Sequence, residues 1–374
     1  DEIVKSVNDI LDGDPLDILI ATPPCQGMSK NGKGKLLAEI RAGNRPKFDP
    51  RNELIIPTVK IALELQPQTI VFENVPEMVN TVIEDDQGKP ISILDYLEKK
   101  LSPTYSGKAE VVQFADFGIP QRRSRLITIY SRDRETRRKL SARASLIPSK
   151  THLNDPSQIS LFSSSEVQPW VSVRDAISTF PPLDGIKGKE QDLNFHHLHR
   201  VPVLDPKKYE WIRHTPSGQS AFDNQCVNSS CGFQGNTCHG SKKTDTGINR
   251  SSRETPLYCG KCGFLLPRPY TKEKNGELRI MRGYTSAYKR MDWDLPAPTL
   301  TQNFSFPSSD SNIHPEQNRV LSLYEALTIH TVTDYEYIWE HTDERMAKDS
   351  LIRESIGESI PPKGLEIILN NLLS

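Results

Sequence analysis

The residues best equipped for chemistry stand at three places in the first third of the chain. Cys25 lies in Pro23-Pro24-Cys25-Gln26-Gly27-Met28-Ser29, directly after the apolar run Asp17–Ala21. A thiolate is the strong nucleophile near neutral pH, and a loop at a strand end exposes it as a packed core position does not. Glu73 closes a second apolar run, Thr69-Ile70-Val71-Phe72, and opens Glu73-Asn74-Val75-Pro76. Neighbouring strand ends in an α/β sheet share a crevice, so a carboxyl group there can reach the same small ring as the cysteine and hydrogen-bond a ring nitrogen. The third place is Gly118-Ile119-Pro120-Gln121-Arg122-Arg123-Ser124-Arg125. Strand alternation puts Gln121, Arg123 and Arg125 on one face, where guanidinium groups can bind a base oxygen or a phosphate and balance developing negative charge. Taken singly, each has a plain alternative: a structural cysteine, a surface carboxylate at a strand end, a solvated basic edge.

The elements that must hold these groups read as α/β. Strands are expected at Asp17–Ala21, Thr69–Phe72, Glu110–Phe114 and Arg125–Tyr130. Helical spacing of apolar residues covers Arg51–Leu65, with Pro57 disturbing its early turns, and Ser92–Leu101. This alternation predicts a doubly wound, Rossmann-like sheet. Residues 140–200 are Ser/Pro-rich and read as a connection, whereas residues 200–300 hold many Gly, Asn and Ser and predict a small irregular lobe. Helical patterning returns at Ser322–Ile329, Ala347–Ile356 and Pro362–Leu373.

Five of the six cysteines crowd into the irregular lobe. Cys226-x4-Cys231 and Cys259-x2-Cys262 form two close pairs, each able to offer two thiolates to one ion, and Gly260 and Gly263 suit the tight turn of a zinc knuckle. The expectation is a structural Zn2+ on Cys226, Cys231, Cys259 and Cys262, with Cys238 or His239 as possible replacements for one ligand. Composition adds exclusions. Lys+Arg number 47 against Asp+Glu 48, a net charge of -1, so any nucleic-acid surface must be local rather than global. Basic residues do cluster at Lys30–Arg51 and Arg122–Arg138. Lys242, Lys243, Arg250 and Arg253 are candidates for phosphate contact in the lobe. The sequence holds no apolar run of the ~20 residues that span a bilayer and no leader pattern, so a cytoplasmic protein without a membrane partner is expected.

Together, and in this order, the three elements resemble the DNA cytosine-5 methyltransferase family, of the bacterial restriction-modification type. Further residues join the resemblance: Asp49-Pro50-Arg51-Asn52-Glu53-Leu54, Pro298-Thr299-Leu300-Thr301, His314-Pro315 with Arg319, Leu321 and Glu325, and Ile356-Gly357-Glu358-Ser359-Ile360-Pro361-Pro362. The resemblance implies an S-adenosylmethionine-dependent enzyme that methylates C5 of a flipped-out cytosine in duplex DNA. Cys25 would attack C6, Glu73 would contact N3, and Arg125, supported by Arg123, would hold the O2 side. Pro24, Leu54, Gly357 and Ser359 would line the cofactor pocket. Gln26, Ser29, Gln121 and Thr299 would contact DNA, and the loop from Ser29 to about Pro50 would close over the flipped base. The implied organisation is a catalytic domain at 1–195, a target-recognition domain at 196–305 and a return to the catalytic domain at 306–374. The family's amino-terminal Gly-rich cofactor loop is not among these residues, and Glu358 stands where many members have Asn. A missing segment or a second chain would complete the cofactor site. Two further readings share these motifs: a tRNA cytosine-5 methyltransferase, and a non-catalytic DNA-binding subunit of a split enzyme.

Overall fold

The computed structural model describes residues 2–24, 50–142, 145–155, 167–243, 249–251, 254–281, 286–340 and 345–373. The chain divides into two compact units: Asp1–Gln113 with Ser124–Ser149 and Glu366–Ser374, and Phe114–Arg123 with Lys150–Leu365.

The first unit is built on a four-stranded sheet. Its strands are β1 (Ile18–Ala21), β2 (Thr69–Asn74), β3 (Ser106–Gln113) and β4 (Ser124–Ser131), in spatial order β1-β2-β4-β3. The continuous apolar run of Thr69–Phe72 marks a strand covered on both faces, and every residue of β2 is buried. β1 joins β2 in parallel, with Ala21 opposite Phe72. β4 runs antiparallel to both β2 and β3, so the sheet is mixed. The β1-to-β2 crossover contains α2 (Ile55–Leu65), preceded by a 3-10 turn at Pro50–Leu54, and a second crossover leads from β2 to β3, which run parallel to each other on either side of β4. Pro57 is the third residue of α2, where no intrahelical amide bond is lost. α3 (Ile93–Leu101) starts where Ser92 accepts the Asp95 amide, and it buries Ile93, Tyr96, Leu97 and Leu101. These side chains join Ile55, Val59, Ala62, Ile70 and Phe72 in one core. Helix α1 (Glu2–Leu11) and helix α4 (Arg134–Ser141) complete this unit.

The second unit has little regular structure. Its helices are α5 (Val173–Ile177), α6 (Pro206–Arg213), α7 (Leu323–Ile329), α8 (Asp349–Glu358) and the start of α9 (Pro362–Leu373). Within residues 140–200, which the sequence reads as a connection, α5 is closed by a Ser172/Asp175 capping box and buries Val173 and Ile177 against Leu323, Ala326 and Leu327. At the start of α7 the Ser322 hydroxyl accepts the Glu325 amide and the Glu325 carboxylate accepts the Ser322 amide. The same carboxylate receives two parallel bonds from Arg319, each 2.7 Å, and both side chains are fully buried.

This buried cluster sets an acid limit on stability. Burial alone would raise the Glu325 pKa, but the Arg319 charge outweighs it and brings the carboxyl down to about 2 from 4.5. Burial, aided by Arg319, pushes His314 from 6.5 to about 3, and its Nδ1 accepts the amides of Glu316 and Gln317. In both groups the folded state binds protons less readily than the unfolded chain. The His314 contribution is whole above about pH 6.5 and the Glu325 contribution above about pH 4.5, and each drains away as pH falls toward about 3 and about 2 respectively. Urea denaturation at stepped pH should show stability falling below about pH 6.5, and Glu325→Gln should flatten the portion below about pH 4.5 while lowering stability at neutrality. A stability curve in the variant as steep as in the parent would contradict this assignment.

Candidate active site and cysteine cluster

The carboxyl ends of β1 and β2 lie side by side in the first unit. Because Ala21 faces Phe72, Thr22 leaves β1 at the level of Glu73, which is still paired with Ile127 of β4. Asn74 fastens the exit: its Nδ2 donates to the Pro23 carbonyl at 3.0 Å, and its Oδ1 accepts the Val75 amide at 2.9 Å. Cys25, Gln26 and Ser29, with the closing loop to residue 49, lie outside the described residues.

Glu73 is buried at that strand end, and Arg125 Nε reaches its Oε1 at 2.7 Å. The side chains are 7% and 12% exposed, so the pair sits in a largely dry setting where each charge depends on the other. Glu73 stands opposite Ile127 across β2 and β4, which places Arg125 one alternate position away on the same face. A carboxylate braced by a guanidinium has the donor and acceptor capacity to meet the edge of a pyrimidine. Leu54, 42% exposed, and Pro24, also exposed, leave apolar surface uncovered in this unit.

Gln121 and Arg123 belong to the second unit. The run expected as one strand is two: Gln121–Arg122 pairs in parallel with Ala297–Pro298, whereas β4 begins at Ser124. The break at Arg123 sends its guanidinium and that of Arg125 to different partners. Arg123 is fully buried and donates to the carbonyls of Leu300 (2.9 Å), Gly357 (2.9 Å) and Ser359 (2.7 Å). Gln121, equally buried, accepts the Leu300 amide on Oε1 and meets His330 Nδ1 at 3.1 Å. Thr299 is half-buried, its hydroxyl donating to the Arg122 carbonyl at 2.7 Å. His330 Nε2 lies 3.0 Å from Ser359 Oγ. His330 was not marked by any local sequence signal, because it merely ends the apolar run of α7.

Gly357 has a packing reason of its own. A Cβ there would collide with the amide nitrogen of Gln302 and lie 2.6 Å from both Gln302 Cα and the Thr301 carbonyl carbon. α8 therefore approaches the Thr301–Gln302 backbone more closely than any side chain permits.

The four cysteines of the two close pairs converge. Their Sγ atoms all lie within 4.8 Å of one another, with Cys226–Cys262 at 3.7 Å and Cys231–Cys259 at 3.9 Å. Tetrahedral zinc with Zn–S bonds of about 2.3 Å needs sulfurs about 3.8 Å apart, so this donor set fits that ion. Each pair sits on a turn. The Cys226 amide donates to Phe233 O and the Cys259 amide to Phe264 O, and both turns pass through a glycine with positive φ, Gly232 (55°) and Gly263 (72°). Side-chain amides of Asn228 and Asn236 point at the sulfurs of Cys262 and Cys259, at 3.8 and 3.9 Å. Burial first, then the contacts with Cys259 and Cys262, push the Cys226 thiol pKa up despite the Asn228 amide. Cys238 is outside this group, near Gln225, and His239 stacks on Phe222 at 4.3 Å. Lys242, Lys243 and Arg250 fall on a short hairpin, Ser241–Lys243 with Asn249–Ser251, whose side chains lie outside the described residues, as does Arg253.

Residues 2–374 match the family of C-5 cytosine-specific DNA methylases. The chain belongs to that family. Its activity is methyl transfer to carbon 5 of cytosine in DNA. It is similar to the type II methyltransferase M1.HgaI of Avibacterium volantium, 28% identical over 370 residues, which cover 96% of this chain and 79% of that protein. It is also similar to the type II methyltransferase M.AquIA of Picosynechococcus, 32% identical over 176 residues, covering 45% of this chain and 61% of the relative. The S. pombe Dnmt2 methyltransferase structure aligns over 99% of this chain and 80% of its own at 12% identity, with a TM-score of 0.45, too low to bear on substrate. Among the described residues no helix is long and apolar enough to cross a membrane.

The Gly357 contact predicts that Gly357→Ala lowers stability by about 1–3 kcal/mol through overpacking. Chemical denaturation checks this. Parent-like stability would mean that α8 has room to retreat from Thr301–Gln302.

Proposed function

We propose that the protein methylates a flipped-out cytosine in a specific duplex sequence, using S-adenosylmethionine and a covalent Cys25–C6 intermediate, as the modification half of a type II restriction-modification system. The observation that carries this reading is the buried Glu73–Arg125 pair, 2.7 Å apart, at the strand end adjoining the Pro23–Pro24 exit. Cys25 follows that exit by one residue.

The steps assign one task to each side chain. The Cys25 thiolate forms a bond to C6 while Glu73 holds the N3 edge and Arg125 the O2 side, and the displaced electron pair moves toward C5. When bound, S-adenosylmethionine would supply an electrophilic methyl group to C5, the bonding electrons staying with its sulfur. C5 forms the new carbon–carbon bond. A base then removes the C5 proton, and the returning electrons restore the 5,6 double bond and expel the thiolate. Neither face of C5 and C6 is open inside a base stack, so the base must leave the duplex. Pro24 and Leu54 offer apolar surface to the cofactor, and the Gly357–Ser359 turn offers backbone and hydroxyl groups. Gln26, Ser29 and Thr299 would meet the DNA around the extruded base. Gln121 retains a DNA role only through the segment it holds, since its side chain is spent on Leu300 and His330.

The same reading divides the labour along the chain. Residues 1–195 and 306–374 carry catalysis, and residues 196–305 read the target, with Zn2+ on Cys226, Cys231, Cys259 and Cys262 holding the lobe in shape. A lobe with so little helix or strand gains rigidity from a four-coordinate cross-link.

Duplex DNA carrying 5-fluorocytosine, which blocks proton loss, should trap a denaturation-resistant adduct in the presence of S-adenosylmethionine. Cys25→Ser should abolish it, and Glu73→Gln should slow its formation by about 10²–10⁴-fold. An adduct that survives Cys25→Ser would refute the nucleophile assignment; adduct on tRNA alone would refute the DNA substrate. Metal analysis should give one zinc per chain, lost in Cys259→Ser with a lower melting temperature. Parent-like melting after zinc is stripped by a chelator would remove the structural role.

A further inference from the structure

The hydrogen bonds around His330 have a fixed direction. Gln121 Oε1 accepts the Leu300 amide, so the other end of the same side chain, Nε2, is the donor toward His330 Nδ1. Nδ1 must then carry no proton, which leaves the ring proton on Nε2, facing Ser359 Oγ at 3.0 Å. The Ser359 hydroxyl in turn points its proton toward the Ile356 carbonyl at 3.5 Å. One polar chain therefore runs from Leu300 through Gln121 and His330 to Ser359. Gln121 and His330 are fully buried, so the Leu300–Gln121 and Gln121–His330 bonds are made without competition from water, while the His330–Ser359 bond lies at the surface end of the chain.

The ring itself is held from behind. His330 ends α7, whose Ala326, Leu327 and Ile329 are buried, and its amide donates to Ala326 O. The following residue, Thr331, accepts the Lys363 amide at 3.3 Å. Arg123 grips the carbonyls of Gly357 and Ser359. The Ser359 side chain is left for His330 to orient, and a phenylalanine of similar volume would fill the space without doing so.

We infer that His330 is a positioning residue: its Nε2–H sets the Ser359 hydroxyl, and with it the Gly357–Ser359 turn, in the shape that receives the methyl donor. This rests on the reading, given above, that the turn faces the cofactor. His330 touches neither reacting atom. Its contribution reaches the reaction through Ser359 alone, so it acts on cofactor affinity rather than on DNA affinity.

The experiment uses the full-length protein and S-adenosylhomocysteine as the probe, with affinity measured by calorimetry. Three replacements separate the two ring nitrogens. His330→Gln places an amide donor near the Nε2 position, His330→Asn places an acceptor near Nδ1, and His330→Phe keeps only the volume. His330→Phe and His330→Asn should each weaken binding by about tenfold, while His330→Gln stays within about threefold of the parent. Affinity for a random-sequence DNA duplex should stay within about twofold in all three. The inference fails if Phe leaves cofactor affinity unchanged, or if the three variants lose affinity in proportion to their melting temperatures, the mark of a packing role only. Amide hydrogen exchange over residues 356–361 distinguishes the two levels. Slowed exchange in the parent on adding S-adenosylhomocysteine, with parent-like affinity in His330→Phe, overturns the positioning role alone. Tight binding with no slowing there overturns the cofactor-facing turn, and the role of His330 with it.

Discussion

Irregular backbone leaves carbonyl groups that no helix or strand consumes, and the second unit is organised by buried arginines that collect them. Arg123 takes three carbonyls, from Leu300, Gly357 and Ser359. Arg268 takes those of Asn224, Thr237 and Pro256. Arg290 takes those of Thr215, Ile212, His314 and Gln317, and adds Asn318 Oδ1. A guanidinium presents five donors in one plane, more than any other side chain, so a single residue can satisfy several segments far apart in sequence. Burial lowers the Arg290 pKa, yet only to about 10, so the group stays charged at neutral pH. In a unit this poor in ladders, these hubs tie together segments that a sheet would join in the first unit.

The division between the units also explains where the functional side chains go. After β3 the chain gives residues 114–123 to the second unit and returns as β4. Gln121 and Arg123 fall on the excursion and become scaffolding for Leu300 and the Gly357–Ser359 turn. Arg125 falls on the returning strand and meets Glu73. Two residues of separation thus distinguish a guanidinium that collects carbonyls in the second unit from one that pairs with Glu73 in the first.

Much of this was legible in the sequence. Strands β1, β2 and β4, helix α3 and the convergence of two cysteine pairs follow from apolar runs, helical spacing and ligand spacing, all of which are local signals. The shared face of Gln121, Arg123 and Arg125 was not legible, because alternation presumes one unbroken strand and the pairing of Gln121 with Ala297 is set more than 170 residues away. The same holds for His330, whose partners come from residues 121 and 359. Helix α1 escaped for a different reason. It buries no residue fully, although Val4, Val7 and Leu11 recur at helical spacing and form its half-buried stripe. The short helix α5 was hidden in a Ser/Pro-rich stretch, although its capping box, Ser172 to Asp175, was there to be read.

The Glu73–Arg125 pair is best weighed against what stability alone would choose. Removing two charges from water costs several kcal/mol per ion, and well-packed apolar residues of similar volume usually do as well or better. The strand end offers such packing nearby, with Phe72 and Val75 buried on either side of the Glu73–Asn74 step. Arg319–Glu325 shows what a purely structural pair looks like here: two parallel bonds, full burial and a cap to complete it. Glu73 and Arg125 are less enclosed, with exposure of 7% and 12% against 0% and 1%. Charge retained at that cost, in that less enclosed position beside the exit of β1, is the physical basis of the role proposed for the pair in holding a polar ring.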